Sequence, residues 1–253
     1  MSTDTLLDGL NEAQKQAVLH SDGPLLVIAG AGSGKTRVLT HRIARLIRDG
    51  TPPERILAIT FTNKAAREMK ERIAKLLNLN TALPWIGTFH ALGAWLLRTE
   101  AKAAGIDTRF SIIDDDDRIS LIKECIAELN LDAKQFNPSK MKRIISSKKT
   151  SLLTSDEHLA DAKDAFSRDF GVLWRLYESK LVASSALDFD DLLVRTVNLF
   201  KNNAAVLQKY QTLWKYVHID EYQDTDAVQY QIANLLARAH SNLCVVGDVD
   251  QAI

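Results

Sequence analysis

The chain has 253 residues, 46% of them hydrophobic and 25% charged, with 32 basic side chains against 32 acidic ones. This fits a globular protein of one or two domains, and a formal net charge of zero leaves no global attraction for nucleic acid, so any such case rests on local sites. The two cysteines, Cys125 and Cys244, lie far apart in apolar settings and read as buried thiols of a reducing compartment. There is no basic leader and no apolar run of roughly 18 residues, so a cytoplasmic protein that does not span a membrane is expected.

In chain order, "PLLVIAG" from residue 24 predicts a short strand buried on both faces. A glycine-rich turn follows. Then "TRVLTHRIARLIRDG" predicts a helix, with Leu39, Ile43, Leu46 and Ile47 at helical spacing and Gly50 as its stop. "RILAITF" predicts the next strand. "NKAAREMKERIAKLL" predicts a helix with Ala66, Met69, Ile73 and Leu76 on one face and Thr62 or Asn63 as its cap. "PWIGTF" predicts a third strand. This alternation implies a parallel sheet with right-handed crossovers. From about residue 90 the patterns are helical, with no clear strand between them. Strand patterns return at "KYVHID" and "NLCVVGD", with the helical "TDAVQYQIANLLARA" between. The reading is one α/β domain, a parallel sheet with helices on both faces, interrupted by a helical subdomain. Its parts are residues 1–90, an insert over 91–186, and a return over 187–253.

"AGAGSGKT" joins the first strand to the first helix and meets G-x-x-x-x-G-K-[ST], with Ala29 in the first glycine position. Gly30, Gly32 and Gly34 permit a tight loop. Its inward N–H groups, through Ala31 and Ser33, lie with the following helix start where phosphates bind. Lys35 reaches the terminal phosphates, and Thr36 offers a hydroxyl to Mg²⁺. In "YVHIDEYQDTD", Asp220 follows an apolar strand, so its carboxylate falls at the sheet edge where open α/β sheets bind ligands, fit to hold Mg²⁺. Glu221 suits a general base for attacking water, which favours ATP hydrolysis over kinase chemistry.

Together these residues resemble the UvrD/Rep/PcrA family of superfamily 1 DNA helicases, from about residue 10 to the end, with no specific motif over 100–180. "LNEAQKQAV" looks like the family's adenine-reading segment, with Gln14 as the adenine partner. "GAGSGKTR" looks like its first motif, placing Arg37 beside the nucleotide. "ITFTNKAAREMKERI" and "GTFHALGAWLLR" look like its early DNA-contact motifs. "LDFDDLL", "HIDEYQDTD" and the terminal "VVGDVDQAI" are also family-like, with Ala252 in place of a usual serine. The resemblance implies a RecA-like phosphate-loop fold, ATP and Mg²⁺ as cofactors, and 3′-to-5′ translocation on single-stranded DNA with unwinding at single/double-strand junctions. It implies a second RecA-like domain as partner, and Gln251 as a γ-phosphate sensor. The chain is then expected to be the N-terminal part of a longer helicase, ending inside a coupling loop that carries Asp248 and Gln251. A stand-alone ATP- and DNA-binding module, or part of a helicase–nuclease, is the alternative.

For DNA, Phe61 at a strand end offers a ring for base stacking, and Thr62 and Asn63 can hydrogen-bond phosphate at the helix start. Thr88, Phe89 and His90 repeat that arrangement at the next strand end. Without the resemblance both phenylalanines read as core, and His90 can instead tie a loop. "SKMKRIISSKK" reads as a solvated basic face or a phosphate contact, and "DDDD" at 114–117 as acids at a helix N-terminus. Asp188, Asp190 and Asp191 match a family motif whose role the sequence leaves open.

Overall fold

The structure is a computed structural model that describes residues 5–30, 32–77 and 82–248. The chain divides into two compact units. One comprises Met1–Leu92, Asn203–Thr225 and Gln229–Ile253, and the other Gly93–Asn202 with Asp226–Val228. The helical unit therefore takes in 187–202, which the sequence reading places with the returning α/β part.

Seven strands occur among the described residues: β1 (Leu25–Ile28), β2 (Ile56–Thr60), β3 (Trp85–Thr88), β4 (Ser111–Ile112), β5 (Ala186–Leu187), β6 (Tyr216–Ile219) and β7 (Leu243–Gly247). Five form the sheet of the first unit in the order β1-β7-β6-β2-β3, every pair parallel. Leu25 lies opposite Cys244, Val217 opposite Leu243, Ile56 opposite Tyr216 and Leu57 opposite Trp85. The last two strands of the chain thus insert between the first two, and the strand ends that carry functional residues become neighbours.

The helices Lys35–Arg48 and Asn63–Leu77 lay Leu39, Ile43, Ala66, Met69 and Ile73 on one sheet face, against Ile56, Ala58, Ile86, Cys244 and Val246. All residues of β2 and β6 are buried, as expected for strands covered on both faces. The expectation of the same for β1 is corrected. Among the described residues β1 lies at the edge of the sheet: Leu25 and Val27 pack inward, while Leu26 and Ile28 are 61% and 59% exposed.

The N-terminal helix Glu12–Leu19 starts with a capping box in which Asn11 and Gln14 each accept from the other's backbone N–H, at 2.9 and 3.0 Å. Its far end is tied down by Arg42, whose guanidinium donates to the carbonyls of Ala17, His20 and Ser21. Buried His41 meets the Leu6 carbonyl at 2.7 Å. These contacts hold the Gln14 segment against the first sheet helix.

The second unit packs Asp115–Glu128, Pro138–Thr150 and Ala165–Ala183 around Ile122, Phe136, Met141, Phe170, Trp174 and Tyr177. Asp114 caps the helix Asp115–Glu128 by accepting from Asp116 and Asp117 N–H at 2.9 and 3.0 Å, so the acidic run serves the helix start. β4 and β5 pair in parallel, two residues each. Elements this short leave no periodicity for a sequence reading to find.

Among the described residues no helix is long and apolar enough to cross a membrane.

Candidate nucleotide and nucleic-acid site

β1 delivers the glycine loop. Ala29 N–H still donates to the Gly247 carbonyl at 3.1 Å, and beyond it the loop turns back on itself, with Ser33 Oγ donating to the Gly30 carbonyl at 2.6 Å. Gly32 and Gly34 sit at φ 73° and 89°, the left-handed region where a Cβ is costly. Gly34 is also the residue before the helix Lys35–Arg48, and no side chain caps that helix start. A helix start left uncapped in this way has free N–H groups suited to an anion. Ala31, in the same loop, lies outside the described residues.

Lys35 is buried. Its ammonium donates to the carbonyls of Ala29 and Gly30 at 3.1 and 3.3 Å and pairs with buried Asp248 at 3.0 Å. Thr36 Oγ1 donates to Asp220 Oδ2 at 2.9 Å. Asp220 ends β6, two strands from the loop, and burial pushes its carboxyl above the ordinary range against the Thr36 hydrogen bond. Glu221 follows at φ 49°, a left-handed position unusual for a residue with a side chain. Its carboxylate accepts from Gln223 Nε2 at 2.9 Å. Arg37 is exposed beside the loop, 3.4 Å from the Asp8 carbonyl. Gln14 reaches the loop too, its Nε2 donating to the Ser33 carbonyl at 2.9 Å, so its amide is shared between helix cap and loop. Gln251 lies outside the described residues.

A cavity of about 350 Å³ runs from Thr36, Asp220 and Glu221 to Thr60, Phe61 and Thr62. The candidate hydrolysis and DNA groups thereby share one space. Arg72 lines this cavity and also a second of about 340 Å³ with Gly32, Gly34, Lys35, Thr36, Arg37 and Glu221. Sequence reasoning missed Arg72. The signal was its spacing on the helix after Thr62, where Ala65, Glu68 and Arg72 succeed one another at three and four residues on one face.

The two DNA clusters are not repeats in space. Thr62 and Thr88 each cap the helix that follows, accepting from Ala65 and Ala91 N–H at 3.1 Å. Phe61 precedes its cap, whereas Phe89 follows its own and is the first residue of the helix Phe89–Thr99. Phe61 is consequently half-buried at the cavity, while Phe89 is only 2% exposed and meets the Phe61 ring edge-on, with centroids 6.3 Å apart. The expectation that Phe89 offers its ring to a base is corrected: the ring is core and backs Phe61. Asn63 is exposed and His90 half-buried at the two helix starts.

Asp188, Asp190 and Asp191 fall in the helical unit. Lys149 is 4% exposed there and pairs with Asp188, Asp191 and Glu178 at 2.9, 2.8 and 2.8 Å. Tyr177 OH donates to Asp188 at 2.8 Å, and Arg118 reaches Asp190 and Asp188 at 2.8 and 3.4 Å. Ser146 donates to Asp190. Burial works to raise the Asp188 carboxyl, but Lys149 and Arg118 outweigh it and hold the group below the usual range. Burial, with Asp188 nearby, pushes Asp191 up to about 6 against the pull of Lys149. The motif is an ionic clamp between helices. The basic run before it is neither wholly a solvated face nor a phosphate contact, because Lys149 is spent inside.

A parallel sheet with a glycine loop and helix start on one strand, a buried lysine and a hydroxyl beside them, and an acidic strand end two places away defines a phosphate-loop α/β domain of RecA-like kind. The chain belongs to the UvrD/REP helicases, residues 10–253 matching the UvrD/REP helicase N-terminal domain. It is 48% identical to an ATP-dependent DNA helicase PcrA of Leuconostoc citreum over 100% of this chain and 34% of that protein. Proteins of the same description from Staphylococcus aureus (strain Mu50 / ATCC 700699) and Bacillus subtilis (strain 168) are each 47% identical over 98% of this chain and 34% of their own. The chain thus spans about a third of the length of these curated relatives.

Proposed function

We propose that the protein is the ATP- and DNA-binding portion of an ATP-dependent DNA helicase. It couples ATP hydrolysis to 3′-to-5′ translocation on single-stranded DNA and to unwinding at single/double-strand junctions, in the cytoplasm. The observation that carries this reading is the convergence of Thr36, Asp220 and Glu221 on a cavity that continues to Phe61 and Thr62, while Thr36 and Glu221 also line the neighbouring cavity that holds Lys35 and the glycine loop. The domain order goes with it, RecA-like parts on either side of a helical subdomain: the sequence reading bounds that subdomain at 91–186, and the compact unit Gly93–Asn202 supports the order while carrying its second boundary to 202.

The glycine loop from Ala29 to Gly34, with Arg37 and Gln14 at its sides, holds the nucleotide. Thr36 and Asp220 present a hydroxyl and a carboxylate oxygen together, a donor set suited to Mg²⁺. When bound, that ion neutralises charge on the phosphate oxygens. Lys35 exchanges its Asp248 partner for phosphate. Glu221 orients the attacking water and accepts its proton. Phe61 stacks on a base, with Thr62, Asn63, Thr88 and His90 along the strand's phosphates. In the whole protein a second RecA-like domain closes the nucleotide site and supplies arginines to it.

The test is Glu221→Gln in the full-length protein. Loss of a general base costs about 10²–10⁴ in kcat. Turnover should fall by that factor while binding of a fluorescent ATP analogue persists. Turnover at the parent rate refutes the role of Glu221.

A further inference from the structure

Gln223 lies in the short turn Tyr222–Asp224 after Glu221, and it makes two side-chain contacts of opposite sense. Its Oε1 accepts from the backbone N–H of Asp248 at 2.9 Å, and its Nε2 donates to Glu221 Oε2 at 2.9 Å. A backbone N–H can only donate and an ionised carboxylate can only accept, so the amide orientation is fixed by its partners. Gly247, beside it, leaves little room for a side chain: a Cβ there would stand 3.1 Å from Gln223 Oε1, so the amide would have to give by a few tenths of an ångström. The same Asp248 whose N–H binds Gln223 uses its carboxylate to hold Lys35 at 3.0 Å. A continuous path therefore leads from the phosphate-loop lysine, through Asp248 and the Gln223 amide, to the carboxylate of Glu221.

We infer that Gln223 is a positioning residue that sets the orientation of Glu221 according to the position of the β7 end, so that release of Lys35 from Asp248 by nucleotide is transmitted to the group that activates water. Three features carry this. The bridge joins the ends of two adjacent strands, β6 and β7. Glu221 stands at a left-handed backbone position past the end of β6, and its carboxylate takes a hydrogen bond from Gln223 Nε2. A residue without a side chain at 247 leaves the amide the space it occupies. The inference rests on the hydrolytic reading of the site given above.

The experiment uses the full-length protein, with ATP turnover measured with and without oligo(dT) and binding of a fluorescent ATP analogue measured in parallel. Glu221→Gln comes first, because its retained turnover would refute the hydrolytic reading itself. Given that loss, Gln223→Met keeps the shape and removes both hydrogen bonds. Gln223→Glu keeps an acceptor for Asp248 N–H and removes the donor to Glu221. A displacement on the order of 1 Å at a reacting group costs up to about 100-fold. Both variants should lose about 10- to 100-fold in kcat, with KM for ATP and analogue affinity within about twofold of the parent. Gly247→Ala, which pushes on the amide from the other end, should give the same split. The double variant Gly247→Ala/Gln223→Met should be no worse than Gln223→Met alone, because both act through one bridge. Parent kcat in Gln223→Met and Gln223→Glu overturns the inference. So does loss of analogue binding in step with kcat, or full additivity with Gly247→Ala, since each marks a merely structural residue.

Discussion

Replacing Lys149 by methionine tests the ionic clamp of the helical unit. The ammonium is 4% exposed and lies 2.8–2.9 Å from three carboxylates. Arg118 still reaches Asp190 and Asp188, at 2.8 and 3.4 Å, so Asp188 keeps part of its counter-charge, while Asp191 loses the cation that holds it. Removing one partner of a buried pair costs about 3–5 kcal/mol, against a typical domain stability of roughly 5–15 kcal/mol. The deficit depends on pH. Asp191 already titrates at about 6 in the fold against an ordinary value of 3.8. A carboxyl raised in this way contributes stability fully below its unfolded value and loses it as pH rises through the folded one. Without Lys149 that rise is larger. At pH 5 Asp191 is largely protonated with or without the lysine, and the difference between the proteins opens above about pH 6. Urea titrations followed by far-ultraviolet circular dichroism at pH 5 and pH 7.5 read this directly. Lys149→Met should lose about 3–5 kcal/mol at pH 7.5 and clearly less at pH 5. Adding Asp191→Leu should restore most of the loss. A deficit under about 1 kcal/mol at pH 7.5, the scale of an exposed ion pair, or one equal at both pH values, refutes the argument.

The α/β unit has its own acid sensitivity. His218 on β6 is fully buried, and burial, with Arg42 nearby, lowers its pKa to about 3. A base depressed in the fold contributes stability above its unfolded value of 6.5 and loses it as pH falls towards 3. Between pH 6 and 4 stability should fall by about 1.4 kcal/mol per unit on this account, and His218→Leu should flatten that slope in the same titration. The two phenylalanines should part company. Phe61→Ala should weaken single-stranded DNA binding by about 1–3 kcal/mol in fluorescence anisotropy with little change in stability. Phe89→Ala should cost about 3–5 kcal/mol of folding free energy, because that ring is core. Equal effects of the two on DNA affinity at unchanged stability would contradict the assignment.

The glycine loop, its lysine and the acidic end of β6 were legible because each follows a short apolar run and obeys a spacing fixed by phosphate chemistry. The exposure of β1 was not. Whether an apolar strand is central or at an edge depends on which distant strands pair with it, and here the partner lies more than 200 residues away. Phe89 was misread because the two clusters meet their helices differently: Phe61 precedes the capping threonine of its helix, whereas Phe89 follows its own. The clamp of Asp188 and Asp191 was out of reach because its cation is 39 and 42 residues away and carries no local mark. Gln223 stands inside a quoted motif. Its task appears only once β7 is placed beside β6.

The interleaved strand order also sets a timetable for synthesis. β2 and β3 adjoin in the sheet and leave the ribosome close together, but β1 finds its described neighbour only in β7, about 215 residues later. At about 5–20 residues per second, the phosphate-loop strand waits roughly 10–40 s for its partner. Over that interval Leu25 to Ile28 form an apolar segment without a sheet to join, and Lys35 and Thr36 lack the carboxylates that hold them. The nascent chain should be most prone to misassociation, and most dependent on chaperones, in that window.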